Sequence, residues 1–336
     1  MNGTVGNHCG AAAATTVSGP TCRHAAATAT TTQQLVDAAL PYLQAGLRAG
    51  DLTLVSCSPG LGELLRRRLG SSASGLGHVD LGLLTSRTPD VFTRVRRSAE
   101  TAARRGNGSG RVRLLFEPSV PPGPEGWREV MRADAVFNTV MGDLPVMALC
   151  LFDEQRLPAE VVASVGRMHP ELVTASGWTP SADYAAAPDF VRTLPRPRNP
   201  VEDTPPVFAV DDVPTLPELR HRLGAVLAAL VADGDLRGDL HLALSEVAAN
   251  AFRHGRRPVS ARIWAGPARI VCAISDGGHS FDDPLAGFVP AHGYDLSRGG
   301  MGLWLARKLW DHVDLFARPD GFTVRLSTAL PMPGPA

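Results

Sequence analysis

Three side chains that could do chemistry occur at four-residue intervals in the stretch ALSEVAANAFRHG, residues 243–255. They are Glu246, Asn250 and His254: a carboxylate, an amide and an imidazole. In a helix, residues four apart share a face, so the three follow one flank of an apolar stripe. A carboxylate serves as a general base and an amide oxygen ligates divalent metals. On this helix alone, a polar edge beside a buried face is the more common explanation.

Two glycine-containing stretches downstream favour a ligand site instead. The stretch CAISDGGHS carries a strand into Asp276 and two glycines. A carboxylate at a strand end, beside glycines that permit close approach, can accept a hydrogen bond from an exocyclic amine. The stretch SRGGMGLWLA places Gly299, Gly300 and Gly302 ahead of a helix, where backbone N–H groups and the helix N-terminus favour phosphate. Each glycine cluster alone indicates a turn, but the order of all three stretches predicts a nucleotide site.

The segment from about Pro205 to Pro331 resembles the ATPase domain shared by gyrase, Hsp90-type chaperones, mismatch-repair proteins and histidine kinases, the GHKL or Bergerat fold. It is most similar to the compact branch formed by the anti-sigma-factor serine kinases. The resemblance covers roughly the last third of the chain, and its three-part motif is fairly specific. It implies an α+β domain with helices over a mixed sheet, and it implies ATP and Mg²⁺ as cofactors.

The resemblance also implies a role for each residue of the motif. In that family, a Glu-x-x-x-Asn helix carries the general base, here Glu246, and a ligand of Mg²⁺, here Asn250. His254 would lie close to the phosphates, and Asp276 would bind the adenine amine. The family pattern Asp-x-Gly-x-Gly ends here in Ser280 in place of the last glycine. The other implied ATP contacts are a cation for the γ-phosphate and residues of both glycine stretches: Arg298, Gly278, Gly299, Gly300, Met301, Gly302 and Leu303.

A stretch with the outline of a phosphate-binding loop also occurs near the N-terminus, at CSPGLGEL, residues 57–64. It follows a buried strand and precedes a helix. In the pattern G-x-x-x-x-G-K-[ST], however, the last two positions hold Glu63 and Leu64. A carboxylate repels phosphate and leucine cannot ligate Mg²⁺. We therefore predict that residues 32–175 do not bind ATP.

Residues 32–175 alternate strands and helices, which favours a parallel sheet with helices on both faces. The region is similar to the MEDS sensory domain, a relative of RecA-like ATPases. The similarity lies in GLRAGDLTLVSCSPG, Glu117-Pro118, ALCLFD and His169-Pro170. It implies an α/β, RecA-like fold and a sensory role. An alternative of equal weight is a packed β–turn–α unit without a ligand.

The sequence predicts four segments along the chain. The Ala-, Thr- and Gly-rich residues 1–31 are expected to be a disordered tail. Residues 32–177 form the sensory domain. The proline-rich residues 178–206 form a linker, because such a density of prolines is incompatible with helix interiors and central strands. Residues 207–333, with two helices followed mainly by strands, form the ATPase domain.

Composition limits the functional class. Lys and Arg together number 33, as do Asp and Glu, so bulk charge indicates neither a nucleic-acid nor a membrane partner. No apolar run approaches the ~20 residues of a membrane-spanning helix. The N-terminus lacks the features of a signal peptide. The five cysteines show no metal-binding spacing and no CxxC, which predicts free thiols and a cytoplasmic protein.

Two functional hypotheses follow. In the first, the protein is an anti-sigma factor that regulates transcription by partner switching and phosphorylates Ser or Thr of an anti-anti-sigma antagonist of the STAS type. In the second, it is an ATP-dependent module that captures a sigma factor without kinase activity. Glu246 favours the kinase, because a pure binder needs no general base. A histidine kinase lacks support, since no dimerisation helix with a phospho-accepting His precedes the ATPase domain. A homodimer is compatible with both hypotheses.

Overall fold

The computed structural model describes residues 22–82, 87–106, 108–119, 123–278, 281–290 and 300–331. These residues form two sheets, and helices pack against each sheet around apolar cores. Across these ranges no helix combines the length and the apolar character that a membrane span requires. The prediction of an α/β region followed by an α+β region is confirmed.

The first sheet belongs to the N-terminal region. Its described strands are β1 (Arg23–Ala29), β2 (Leu52–Ser56), β3 (Gly77–His78), β4 (Val112–Phe116), β5 (Val146–Asp153), β6 (Glu171–Thr174) and β7 (Gly177–Pro180). The helices around it are α1 (Thr32–Ala49), α2 (Pro59–Leu69), α3 (Thr88–Arg104), α4 (Gly123–Val140) and α5 (Ala159–Met168). The strands lie in the order β3-β2-β4-β5-β1-β6-β7, and every neighbouring pair is parallel except β6 and β7.

Strand β1 corrects the prediction of a disordered tail over residues 1–31. It pairs along its whole length with β5, from Arg23 opposite Met147 to Ala29 opposite Asp153, and it also pairs with β6. Its sequence RHAAATA has no branched apolar residue, and alanine is a poor indicator of strand. Its small side chains are nevertheless buried between the helices on the two faces. Residues 1–21 lie outside the described ranges.

The turn between β2 and α2 holds the stretch that resembles a phosphate-binding loop. The Ser58 backbone N–H donates to Glu117 Oε2 at 2.7 Å, and the other oxygen, Glu117 Oε1, accepts from Arg156 at 3.3 Å. A carboxylate of the chain therefore occupies the position at the start of α2 where a phosphate oxygen would bind in a functional loop. This contact adds a second obstacle to phosphate, besides Glu63 and Leu64.

This geometry predicts that the full chain binds one Mg-ATP, not two. Glu117 already accepts the backbone N–H at the start of α2, and Glu63 stands where the P-loop pattern has its phosphate-binding lysine. The test is the binding stoichiometry from isothermal calorimetry on the full chain, because a fragment that starts at residue 32 would lack the central strand β1. A stoichiometry of two would show that the turn does bind nucleotide.

Residues 178–206 were predicted as a linker, and the structure gives them an ordered path. They contain most of β7, the helix α6 (Ala187–Thr193) and a 3₁₀ turn at Pro200–Asp203. Proline lies in the first turn of both helical segments, where the missing N–H costs no hydrogen bond. Each of the two regions donates a hydrogen bond to this segment. Arg128 of the N-terminal region donates to the Pro195 carbonyl at 3.2 Å, and Arg325 of the C-terminal region donates to the Pro197 carbonyl at 2.8 Å.

The second sheet belongs to the C-terminal region. Its described strands are β8 (Phe208–Val210), β9 (Ser260–Gly266), β10 (Arg269–Asp276), β11 (His312–Arg318) and β12 (Gly321–Ala329), and its helices are α7 (Leu216–Leu230), α8 (Gly234–His254) and α9 (Gly302–Leu309). The strands lie in the order β11-β12-β10-β9-β8, with every described pair antiparallel. Alternate residues of β10, such as Ile270, Cys272 and Ile274, share one core with the helices.

The first region packs on this second sheet through a buried ionic network. Asp314 of β11 accepts from Arg132 at 2.9 Å and from Arg128 at 3.2 Å, both on α4. Its oxygen Oδ2 also accepts from Arg325 of β12 at 2.9 Å. The Asp314 side chain is only 3% exposed. A carboxylate buried to this degree requires these guanidinium partners, so the network joins the two regions.

Candidate nucleotide-binding site

Helix α8 is held by a side-chain cap and by its apolar stripe. Asp233 accepts the Leu236 N–H at 2.9 Å and caps the N-terminus. The buried stripe is formed mainly by Leu240, Ala243, Leu244, Val247, Ala248 and Ala251. Glu246 and Asn250 are half-buried at its edge, and His254 in the last turn is exposed. The three polar side chains therefore follow the rim of the core.

The N-terminus of α9 lies against this rim. A Cβ at residue 302 would be 2.7 Å from Asn250 Nδ2, so only glycine permits this approach. Gly300 has a φ of 72°, in the left-handed region that favours glycine. These two residues bring the first turn of α9, whose N–H groups have no partner within the helix, beside Asn250. Such a helix start is a ready site for a phosphate.

Asp276 ends β10 at the other side of α8. Its Oδ1 accepts the Gly278 N–H at 2.7 Å and the Arg256 N–H at 3.4 Å. A Cβ at residue 255 would lie 2.3 Å from Asp276 Cγ, so Gly255 lets the carboxylate pack directly on the end of α8. These contacts fix the orientation of the carboxylate, as recognition of one amine requires.

A cavity of about 630 Å³ joins these elements. Its volume lies within the range of about 300–1,000 Å³ that is typical of small-molecule and cofactor sites. It is enclosed by α8, the end of β10, residues 281–290 and the start of α9. The predicted site residues that line it are Asn250, His254, Asp276, Gly278, Gly300, Gly302 and Leu303.

The remaining predicted residues are placed differently. Glu246 and Met301 are not among the residues that line the cavity, although Glu246 lies one turn from Asn250 on the same flank of α8. A Cβ at residue 302 would lie 3.4 Å from Glu246 Cβ, so the carboxylate neighbours the start of α9. Arg298 and Gly299 lie outside the described residues, as does Ser280.

An arginine beside Glu246 was not predicted from the sequence. Arg220 of α7 places Nη2 at 3.8 Å from Glu246 Oε1, and the same atom donates to the Ser245 carbonyl at 3.4 Å. Both side chains of the ion pair are more than a third exposed. Arg220 is therefore a positively charged neighbour of the Glu246 carboxylate. No local motif marks Arg220, because it lies 26 residues from Glu246 on another helix.

The apolar walls of the cavity were also missed. They include Ile274 of β10, Phe322 and Val324 of β12, and Phe281, which follows β10 in the chain. Phe281 packs edge-on against Phe322 with 5.3 Å between ring centroids. Flat apolar surfaces of this kind suit a planar heterocycle such as adenine. The alternation of Phe322 and Val324 along β12 was the one signal that could have indicated them.

Comparison with known proteins agrees with this geometry. Residues 210–328 match the family model described as the histidine kinase-like ATPase domain. Residues 23–170 match the model of MEDS, the methanogen/methylotroph, DcmR sensory domain, and this match begins at β1. The protein therefore combines a MEDS domain with a histidine kinase-like ATPase domain.

Among curated proteins, the chain is similar to the serine-protein kinase RsbW of Bacillus subtilis (strain 168) and to that of Bacillus velezensis. Each is 32% identical over 133 residues, which is 35% of this chain and 82% of the relative. RsbW of Bacillus pumilus is 32% identical over 105 residues, 27% of this chain and 64% of the relative. The chain belongs to this family of serine-protein kinases.

Proposed function

We propose that the protein is a cytoplasmic anti-sigma factor that binds Mg-ATP in the cavity between α8 and α9 and phosphorylates Ser or Thr of a STAS-type antagonist. Its partners are then a sigma factor and that antagonist, exchanged according to phosphorylation. The observation that supports this most is the convergence of Asn250, Asp276 and Gly302 on one cavity, with Glu246 one turn away. The similarity to serine-protein kinases points the same way.

Each part of ATP has matching groups around the cavity. The carboxylate of Asp276 accepts a hydrogen bond from the adenine amine, and the apolar walls hold the ring. The start of α9 and its glycines bind the phosphates, with His254 near them. Arg298 is proposed as the cation for the γ-phosphate.

A single amide oxygen beside the phosphates is compatible with Mg²⁺, which takes oxygen ligands and keeps several waters. The Asn250 amide, beside the start of α9, is the residue that would hold the metal. When bound, Mg²⁺ neutralises charge on the transferring phosphate.

Glu246 is placed to take the proton from the attacking hydroxyl. Its half-exposed position lets a substrate side chain reach it from solvent. Arg220 lies beside this carboxylate as its positively charged neighbour. The hydroxyl oxygen then attacks the γ-phosphorus, and ADP leaves.

The direct test is incubation of the full chain with γ-labelled ATP, Mg²⁺ and a candidate antagonist. Stable label on Ser or Thr of the antagonist supports the kinase. One observation favours the second hypothesis, a sigma-binding module without transfer: Glu246 lies outside the cavity lining and is paired with Arg220. ATP binding and sigma capture without any label on the antagonist would establish that alternative.

Replacing Asp276 with asparagine is expected to weaken ATP binding about 10- to 100-fold, since a hydrogen bond to a charged group contributes about 1.5–3 kcal/mol. Asparagine keeps an oxygen for the Gly278 N–H but presents an amide to the adenine amine. Calorimetry measures the affinity. Asp320→Asn, in the exposed turn between β11 and β12, is the matched control. Equal affinities for Asp276→Asn and the wild type would remove the adenine assignment.

Partner choice is expected to depend on the nucleotide. The γ-phosphate, through Arg298 and the glycines that follow, should favour the state that holds the sigma factor. Pull-down of a cognate sigma factor with ADP and with a non-hydrolysable ATP analogue measures the effect. The Arg298→Ala variant should capture the same amount of sigma factor with ADP as with the ATP analogue. If wild-type capture is the same with both, the protein is a constitutive binder.

A further inference from the structure

Four side chains that the nucleotide site does not use meet inside the N-terminal region. They come from four different elements: His24 from β1, Cys150 from β5, Asp134 from α4, and His169 directly after α5. One potential ligand atom of each lies within 4.8 Å of the others. Each residue is at least nine-tenths buried, with exposures of 3%, 3%, 7% and 0% in that order.

Two polar atoms of this cluster are buried and have no hydrogen-bond partner among the residues that the structure describes. They are Asp134 Oδ2 and His169 Nε2, and they lie 4.0 Å apart. An unpartnered buried polar atom is destabilising, and two such atoms close together are uncommon in a native core. A ligand between them would satisfy both.

The two imidazoles are oriented as metal ligands are. His169 Nδ1 donates to the Val165 carbonyl at 2.9 Å, and His24 Nδ1 donates to Asn138 Oδ1 at 2.9 Å. The Asn138 amide is itself oriented, because its Nδ2 donates to the Met168 carbonyl at 2.9 Å. With each Nδ1 bound to an oxygen acceptor, each Nε2 keeps its lone pair for the cluster. Metal-binding histidines are held by outer partners in this way.

We propose that these four side chains bind a divalent metal ion of the zinc type. Two imidazole nitrogens, one thiolate and one carboxylate are a donor set that zinc takes. Tetrahedral ligands around zinc lie about 3.3–3.6 Å from one another, given its bond lengths. The cluster is already near this size: His24 Nε2 lies 3.2 Å from Cys150 Sγ, and Cys150 Sγ lies 3.9 Å from Asp134 Oδ1.

An apolar cavity of about 40 Å³ adjoins the metal ligands. It shares His24, Asp134 and Cys150 with the cluster, and its other walls include Phe92 and Phe137. This volume admits about one small molecule of the size of water. The site therefore has room for an additional small ligand next to the metal, in a region that belongs to a sensory domain family.

The test uses the untagged full chain. The protein is unfolded in denaturant that contains a chelator, and it is then refolded with either Co²⁺ or Zn²⁺ as the only added metal. One equivalent of zinc by elemental analysis is expected, together with a thiolate-to-cobalt charge-transfer band in the absorption spectrum. Both should be lost in Cys150→Ser. The matched control is Cys272→Ser, which changes another buried strand cysteine, in the second sheet, and should keep both signals.

A second variant keeps the test decisive if Cys150→Ser fails to fold. His169→Gln should reduce the zinc content below one equivalent, with a circular dichroism spectrum like that of the wild type. The thermal midpoint of the wild type should also rise on adding Zn²⁺, and that of His169→Gln should not. A wild-type protein that refolds without stoichiometric metal and shows no cobalt band would overturn the proposal and leave a buried water as the occupant.

Discussion

Replacing Glu246 with glutamine is expected to reduce phosphate transfer to the antagonist by about 10²- to 10⁴-fold, the usual contribution of a general base. ATP affinity should stay close to that of the wild type, because Glu246 does not line the cavity. Glutamine keeps the size of the side chain and an oxygen for Arg220, so the change removes the base and little else. The measurement is the single-turnover rate with labelled ATP, together with calorimetry on each variant.

Two further variants make this result specific. Glu218→Gln changes another partly exposed glutamate paired with an arginine, on α7, and should leave transfer unchanged. Asn250→Ala should weaken Mg-ATP binding itself, since Asn250 lies at the cavity and at the start of α9. Normal transfer by Glu246→Gln would exclude Glu246 as the base. A loss of ATP binding in Glu246→Gln would assign it to binding.

The polar part of the candidate site was predictable because its signals are local. The four-residue spacing of Glu246, Asn250 and His254 places them on one flank of α8 whatever the tertiary structure. Glycines next to a strand end or a helix start carry their meaning within a few residues. The walls of the cavity come from distant strands and depend on the sheet order, so no short stretch encodes them. Arg220 was missed for the same reason.

The N-terminal region shows where sequence patterns were insufficient. Strand β1 consists mainly of alanine, so neither hydrophobicity nor β-propensity distinguishes it from a flexible tail. Its burial follows from its central place between β5 and β6, which is a property of the whole sheet. The metal-ligand cluster depends on the same pairing, since His24 and Cys150 are 126 residues apart and meet only across β1 and β5.

Replacing Asp314 with alanine is expected to lower the free energy of unfolding by about 3–5 kcal/mol, the usual cost of removing one partner from a buried ionic network. Arg128 of α4 would then lose its carboxylate partner, and Arg132 would keep only Glu129. The change should also loosen α4 from the second sheet. Urea unfolding of the full chain at neutral pH measures the stability, and limited proteolysis between the two regions reports the loosening.

The effect of Asp314 has a defined pH dependence. Burial alone would raise the pKa of this carboxyl, but Arg132, Arg128 and Arg325 outweigh burial and hold the pKa well below its ordinary value. A carboxyl with a depressed folded-state pKa stabilises the protein above its unfolded pKa of about 3.9, and this contribution is lost as the pH falls further. The difference in stability between wild type and Asp314→Ala should therefore be full at pH 7 and shrink below about pH 4.

An exposed carboxylate provides the comparison for this result. Asp320→Ala, in the turn between β11 and β12, should change the stability by less than about 0.5 kcal/mol, as is usual for surface positions. If Asp314→Ala is as stable as Asp320→Ala at neutral pH, the network does not join the two regions. The two regions would then be held together by other contacts, such as the ion pair of Asp90 and Lys308 at 2.8 Å.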